Sequence, residues 1–196
     1  SGANTSDFGD LNVTFYQTTA LSSDTRAIIG GGYFNGSVAT NAISYTTFST
    51  SGSGSDFGDL TVGRRGVSSA SNSVRGLFAI GRDSGGSKRN YIDYITIAST
   101  GNATDFGDTT TTREFSTHGA SNSTRAVFCG GSSSNVMDYV TIASAGNATD
   151  FGNLLDSGGY KSTASNSTRA IIMGGSETGN KSDVIQYITI ASTGNA

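Results

Sequence analysis

Aspartates recur in this chain beside a Phe-Gly pair, a residue pattern that could do chemistry. In "ATDFGD" at 103–108 a second carboxylate follows closely, which would suit a calcium loop or half of an acid/base pair. The triplet, however, occurs four times: Asp7-Phe8-Gly9, Asp56-Phe57-Gly58, Asp105-Phe106-Gly107 and Asp150-Phe151-Gly152. A catalytic centre is needed once, whereas a turn is needed in every repeat. We therefore expect Asp to bond nearby backbone amides, Gly to supply a left-handed turn, and Phe to pack between sheets.

An arginine follows each of these aspartates by 19 or 20 residues, and each opens an apolar stretch such as "RAIIMGG". Four arginines share this position: Arg26, Arg75, Arg125 and Arg169. They could line a surface that binds polyanions. Their recurrence favours a structural role, in which each one fixes the turn between two strands by bonding carbonyls or the DFG carboxylate.

The spacing of the triplets defines the architecture. Successive DFG aspartates are 49, 49 and 45 residues apart, the range of propeller blades. In the last repeat we predict strands around Lys161–Ser165, at Arg169–Met173 and at Val184–Ala191; the fourth strand follows the DFG turn, at Leu11–Phe15 in the first repeat. The prediction is an all-β chain with one domain over 1–196, a β-propeller of four-stranded antiparallel blades in repeats 7–55, 56–104, 105–149 and 150–196.

Two arrangements of these blades fit the sequence. The chain starts with a fourth strand and stops after a third strand, so pairing Leu11–Phe15 beside Tyr187–Ala191 would close a four-bladed ring and satisfy both edges. Alternatively, the chain is a stretch of a larger propeller.

Composition excludes several classes of protein. Charged residues make up 14% of the chain and the net charge is −3, which argues against a nucleic-acid binder with a basic face. No apolar run approaches the roughly 20 residues of a membrane-spanning helix, and no signal peptide is visible. The single cysteine excludes an internal disulfide framework.

Two further series of residues carry a family resemblance. A Gly pair ends the second strand at 31–32, 130–131 and 174–175, with Ile80-Gly81 in the second repeat, and a tyrosine lies in each third strand: Tyr45, Tyr94, Tyr139 and Tyr187. With these features the chain resembles kelch-type repeats, although Phe stands where those usually carry Trp. The segment "TIASTGNATDFGD" at 96–108 is similar to kelch-like repeat proteins encoded by phages of marine bacteria. That resemblance implies a virion component, such as a tail-fibre part or a surface decoration.

Few unrepeated residues could carry chemistry. Cys129 matches Gly30, Ala79 and Met173, so we interpret it as a packing residue. His118 is the sole histidine and makes neither a zinc site nor a triad alone. Three acids depart from the repeat consensus without an obvious partner: Glu114, Asp156 and Glu177. We therefore predict no catalytic residue, no metal site and no cofactor.

The loops between second and third strands differ most between repeats and are the natural contact surface. Arg82, Lys88 and Arg89 make one of them basic, for an acidic glycan or a neighbouring subunit, unless it is simply a solvated loop. The leading hypothesis is a non-enzymatic structural or adhesive module of a phage particle, without nucleic-acid or membrane partners, which touches other virion subunits or host glycans. The alternatives are a sialidase-like glycan hydrolase and an intracellular kelch-type interaction scaffold.

Overall fold

The computed structural model describes residues 4–34, 38–115, 119–177 and 180–196. In these ranges the chain is all-β, and its small antiparallel sheets are arranged as a four-bladed β-propeller. The predicted fold class is confirmed. His118 lies outside the described residues, as does the side chain of Glu177.

Each repeat builds one sheet from neighbouring strands in chain order. The first sheet has the order β1 (Thr19–Ser22), β2 (Arg26–Gly30), β5 (Ala42–Thr47), β6 (Ser55–Asp59). The second contains β7 (Arg64–Arg65), β8 (Ser68–Ser71), β9 (Arg75–Asp83), β10 (Lys88–Thr96) and β11 (Thr104–Arg113). The third has the order β12 (Ala120–Ser121), β13 (Arg125–Gly131), β14 (Ser134–Thr141), β15 (Thr149–Asn153). The fourth has three strands, β16 (Ser162–Ser165), β17 (Arg169–Met173) and β20 (Ile185–Thr189).

Two small hairpins extend the loops that follow the second strands of the first and fourth sheets. They are β3 (Tyr33–Phe34) with β4 (Val38–Ala39), and β18 (Ser176–Glu177) with β19 (Asn180–Lys181). The described residues therefore hold more strands than the sixteen that four complete blades require, because loops predicted to be irregular contain short pairs.

The expected ring closure by strand pairing is not formed. Leu11–Phe15 contains no strand, and in the described part of the chain β20 pairs only with β17. Residues 7–10 instead lie against the first sheet, where the Gly52 and Gly54 amides donate to the Phe8 and Asp10 carbonyls at 2.7 Å. The strand predicted at Leu11–Phe15 is therefore wrong, and residues 6–10, which match the DFG strand Ser55–Asp59 of the first sheet, form no strand either.

Apolar side chains fill the spaces between consecutive sheets. Ile28 and Ile43 of the first sheet meet Phe78 of the second. Phe106 meets Phe128 between the second and third sheets, and Met137 meets Ile172 between the third and fourth. The middle strands contribute to both faces, which is why "RAVFCGG" has no polar alternation.

The innermost strands are rich in Ser and Ala because they pack closely against one another. The Ser71 hydroxyl donates to the Ser22 carbonyl at 2.8 Å, Ser121 to Ser71 at 2.7 Å, and Ser165 to Ser121 at 3.3 Å. One hydroxyl per repeat thus ties each inner strand to the preceding one.

Candidate functional site

Three of the four DFG triplets lie within the last strand of the first, second and third sheets, β6, β11 and β15, rather than in a turn before it. In the three triplets inside strands, the Asp Oδ1 accepts a hydrogen bond from the Gly amide two residues later at 3.2 Å. At each of them the pairing with the third strand shifts register and skips the Phe of the triplet. The expectation that Asp bonds backbone amides is confirmed, and the expected turn is corrected to a bulged strand.

The glycine of each triplet permits a close contact between two sheets. A Cβ on Gly107, whose φ is 140°, would lie 2.6 Å from the carbonyl carbon of Gly146, in the loop between β14 and β15 of the third sheet. The Gly146 amide donates to the Phe106 carbonyl at 2.7 Å. Equivalent bonds join Gly101 to Phe57 and Gly194 to Phe151. DFG is therefore a joint between each sheet and the next.

The asparagines of the recurring "GNA" segments belong to the same joint. Asn102, Asn147 and Asn195 each accept, through Oδ1, a bond from the backbone amide that follows a DFG triplet, at 2.9–3.1 Å. Asn102-Ala103-Thr104 and Asn147-Ala148-Thr149 match the glycosylation sequon in the sequence, and the structure gives all three asparagine side chains a structural role.

Phe57, Phe106 and Phe151 are buried, as predicted, whereas Phe8 is 42% exposed, so the prediction is wrong for the first triplet. Each packs edge-to-face on the tyrosine of its own third strand, with ring centroids 5.8–6.0 Å apart. The repeat arginine covers that tyrosine, at 4.2–4.7 Å from the ring centroid in all four repeats. In three repeats its guanidinium also donates to a carbonyl of the next sheet: Ile97, Ile142 and Ile190. Arg26, Arg75 and Arg125 therefore bond carbonyls as predicted, but these carbonyls belong to the next repeat and not to the turn between the arginine's own strands.

Two buried ion pairs lie in the second and third repeats, and the sequence analysis did not predict them. Arg64 Nη2 lies 2.5 Å from Asp93 Oδ2, and Arg113 pairs with Asp138. Burial lowers the pKa of both guanidinium groups, against the opposing charge of each aspartate, and burial raises the pKa of Asp138. The signal was present: the two arginines are 49 residues apart, and both aspartates precede a repeat tyrosine.

Cys129 is fully buried, and desolvation raises the pKa of its thiol to about 12. The thiol therefore stays protonated at neutral pH and is not an activated nucleophile.

The basic loop predicted as a contact surface is partly neutralised by acids. Arg82 Nη2 lies 2.6 Å from Glu114 Oε1, and Lys88 Nζ lies 3.9 Å from the same oxygen. Arg89 pairs with Asp83, whose pKa is lowered by hydrogen bonds from the Ser87 amide and the Arg89 guanidinium. Glu114 therefore has partners that sequence reasoning did not find.

Asp156 also has partners. Lys161 Nζ lies 2.6 Å from its Oδ2, and Ser182 and Gln186 donate to the same carboxylate. Although desolvation opposes them, these bonds lower the pKa of Asp156. The network occupies the place that the Arg–Asp pairs hold in the second and third sheets.

Next to Glu114 a row of flat side chains crosses one end of the propeller. We call it the aromatic–arginine row: Tyr16, Tyr33, Arg65, Phe115 and Tyr160. The two tyrosine rings at one end have centroids 5.0 Å apart, and the Phe115–Tyr160 pair at the other end stacks at 5.0 Å. The Arg65 guanidinium lies between the two pairs, 4.7 Å from the Tyr33 centroid and 5.2 Å from that of Phe115.

The row borders an open pocket of about 290 Å³ to which all four repeats contribute. Four equivalent residues in this lining have a left-handed backbone: Gln17, Gly66, Phe115 and Tyr160, with φ of 50–60°. Hydrogen bonds link them in succession, since each amide from Gly66 onward donates to the carbonyl one repeat earlier at 3.0–3.1 Å. Only one of the four is glycine, so three repeats tolerate backbone strain where a large side chain faces the pocket rim.

No protein-family model matches the chain, and comparison with the curated proteins finds no relative. Within the described residues no three His, Cys, Asp or Glu side chains are grouped as metal ligands, and no helix has the length and apolarity to span a membrane.

Proposed function

We propose that this protein is a non-enzymatic adhesive or structural propeller module that binds acidic glycans through the aromatic–arginine row and the pocket beside it. The row carries the proposal, because it combines accessible aromatic surface with cations in a concave site. Tyr160 is 63% exposed and Tyr16 is 46% exposed. Sugar rings present flat C–H faces that pack on such rings, while their hydroxyls need a few placed polar groups.

The charge at this end of the molecule favours an anionic sugar. Four cations surround two carboxylates here, Glu114 and Asp83, which leaves a local excess of two positive charges on a chain with a net charge of −3. A uronic or sialic acid carboxylate would find Arg65, Arg82 and Lys88 at the site. Arg82 and Lys88 flank the loop between the second and third strands of their sheet, the connection that differs most between repeats, whereas Arg65 belongs to β7.

The alternative of a glycan hydrolase needs two carboxylates about 5–10 Å apart that face the scissile bond. The two unrepeated acids with described side chains are engaged in ion pairs, Glu114 with Arg82 and Asp156 with Lys161. Neither is held as a free acid or nucleophile, which favours binding over hydrolysis.

We further propose that the module belongs to a phage particle, in contact with host-surface glycans or other virion subunits. The resemblance of "TIASTGNATDFGD" to repeat proteins of marine phages supports this location. Mass spectrometry of purified particles from the source phage tests it: peptides of this chain should co-purify with capsid or tail proteins, and their absence from particles contradicts it.

Binding is tested by titration calorimetry with sialylated and uronic-acid oligosaccharides, and with neutral ones of equal length. We expect the acidic set to bind and Tyr160→Ala to weaken binding at least roughly tenfold, the scale for losing one aromatic contact. Tyr187→Ala is the matched control, since Tyr187 is also exposed but does not line the pocket. Equal binding by Tyr160→Ala and the intact protein would rule the site out.

A further inference from the structure

Three cations lie side by side across the second sheet. Arg82 of β9 is the ladder partner of Arg65 in β7 on one side and of Lys88 in β10 on the other. We call these three residues the cation row. Like charges that face each other directly across an antiparallel pair destabilise it. The second sheet therefore carries an arrangement that its own folding does not favour.

The repeat architecture does not require the cation row either. Arg82 follows the Ile80-Gly81 pair, and the residues after the equivalent Gly pairs of the other repeats are uncharged: Tyr33, Ser132 and Ser176. A cation at this position is therefore specific to the second sheet, in contrast to the repeat arginines, which recur in every sheet.

One carboxylate serves all three cations. Glu114 Oε1 lies 2.6 Å from Arg82 Nη2 and 3.9 Å from Lys88 Nζ, and its Oε2 lies 3.9 Å from Arg65 Nη1. The side chain is buried, and the Glu114 carbonyl accepts a hydrogen bond from the Ser132 amide at 2.8 Å, which holds the carboxylate in place. Within the described ranges the three cations form ion pairs with no other acid. Three positive charges and one negative charge give the group a net charge of +2.

The hydrogen bonds of this group are also incomplete. Lys88 and Arg65 lie beyond hydrogen-bond distance of the carboxylate, and two buried atoms beside the Arg82–Glu114 contact, Arg82 Nε and Glu114 Oε2, have no hydrogen-bond partner in the described part of the chain. The side chains of Arg82 and Lys88 are 31% and 35% exposed, so both can be reached from solvent. The cation row thus retains positive charge and donors for an anion.

We propose that the cation row binds the phosphate monoester of a phosphorylated sugar. A phosphate monoester carries a charge of about −1.5 to −2 at pH 7 and three acceptor oxygens, which match the net charge of the site and its three cations. The guanidinium groups of Arg65 and Arg82 suit phosphate oxygens through paired N–H donors, and Lys88 acts as a point charge. A carboxylate or a sulfate ester carries a single negative charge and would leave one positive charge uncompensated.

The aromatic–arginine row favours a sugar as the carrier of the phosphate. Arg65 belongs to both rows, and its guanidinium lies 4.7 Å from the Tyr33 centroid and 5.2 Å from that of Phe115. A phosphate bound at Arg65 brings its carrier next to these rings, against which the C–H faces of a sugar pack. The inference rests on the proposed function, since it takes the ligand to be an acidic glycan and names its acidic group.

Titration calorimetry at about pH 7.5 and constant ionic strength tests the assignment with glucose 6-phosphate, glucose 6-sulfate and a phosphoserine peptide. We expect glucose 6-phosphate to bind at least tenfold more tightly than either of the others. Lys88→Met should weaken that binding roughly tenfold, the scale for losing one contact to a charged group. Lys181→Met is the matched control, because it removes the same charge from an exposed position in β19. Circular dichroism checks that each variant is folded.

Three outcomes overturn the proposal. Equal binding of glucose 6-phosphate by Lys88→Met and Lys181→Met removes the cation row from the site. Equal binding of the sulfate and the phosphate sugar contradicts the match to a doubly charged group. A phosphoserine peptide that binds as tightly as the phosphate sugar shows that the carrier is not recognised as a sugar.

Inorganic phosphate separates a failure of this inference from a failure of the proposed function. If uronic-acid oligosaccharides bind through Tyr160 while neither inorganic phosphate nor glucose 6-phosphate binds through Lys88, this inference is wrong and the proposed function stands. If inorganic phosphate binds through Lys88 and no sugar binds, the proposed function is wrong, and with it the assignment of a sugar to the cation row.

Discussion

The DFG joints and the pocket end of the propeller are built from the same four repeats, but they differ in how much the residue type varies at equivalent positions. At the joints every repeat carries Asp-Phe-Gly, because a Cβ on the glycine would collide with the backbone of the next sheet. At the pocket the four left-handed positions carry Gln, Gly, Phe and Tyr. Close packing requires glycine at the joints. At the pocket, three of the four left-handed positions carry a residue other than glycine in spite of the backbone strain.

The largest effect is expected where the joint is most enclosed. Phe106→Ala should lower the free energy of unfolding by about 3–5 kcal/mol, the range for truncating a buried aromatic, since Phe106 lies in the apolar cluster between the second and third sheets. Chemical denaturation with a linear extrapolation measures it. Phe8→Ala is the matched control from the same triplet and should cost much less, because Phe8 is half-exposed. Equal losses in the two variants would show that the sheets do not pack as described.

The buried ion pairs come next in expected effect. Asp93→Ala should destabilise the fold by about 3–5 kcal/mol, because it leaves the Arg64 guanidinium buried without its counter-charge. The double variant Arg64→Met with Asp93→Leu removes both charges and should recover much of that loss. If the double variant is no more stable than Asp93→Ala, the cost comes from packing rather than from the uncompensated charge.

The contribution of Asp156 to the stability of the fold should depend on pH. Its folded-state pKa is lowered from 3.8, so its bonds stabilise the fold at neutral pH and are lost as the pH falls below 3.8 through the folded-state pKa. Asp156→Asn should cost about 1–3 kcal/mol at pH 7, the scale for hydrogen bonds to a charged group. The intact protein and the variant should converge in stability at low pH. A gap that stays constant between pH 7 and pH 2 would contradict the assignment.

The sequence-based predictions that rested on repeated residues were the ones that the structure confirmed. The spacing of DFG and Arg gave the four sheets, and the strand Arg169–Met173 was predicted at its observed bounds. The burial of Phe57 and Phe106 could be predicted because a residue that recurs in every repeat is more often required for packing than for a single functional site.

Features outside the repeat could not be found in the same way. The DFG triplet looked like a turn because its glycine serves a close approach between sheets, which only the neighbouring backbone reveals. The partner of Glu114, Arg82, lies 32 residues away and meets it only through the fold. The aromatic–arginine row joins residues whose counterparts in other repeats are of different types, so no periodic signal marks it.

The smallest effect on stability is expected at the pocket, where it separates binding from folding. At φ 60° a tyrosine costs roughly 1–2 kcal/mol relative to glycine, while Tyr160→Gly gives up about 0.5–1.5 kcal/mol of ring stacking with Phe115. The two terms nearly cancel, so melting should change little, as Gly66 at the equivalent position implies. Binding of acidic oligosaccharides should fall sharply in the same variant. Gly107→Ala makes the opposite change at a joint, where the new Cβ meets the Gly146 backbone, and should lower the melting temperature. If Tyr160→Gly lowers the melting temperature as much as Gly107→Ala does, the fold requires the residue at position 160 as strictly as it requires the glycines of the joints. The tyrosine would then be explained by stability and not by ligand binding.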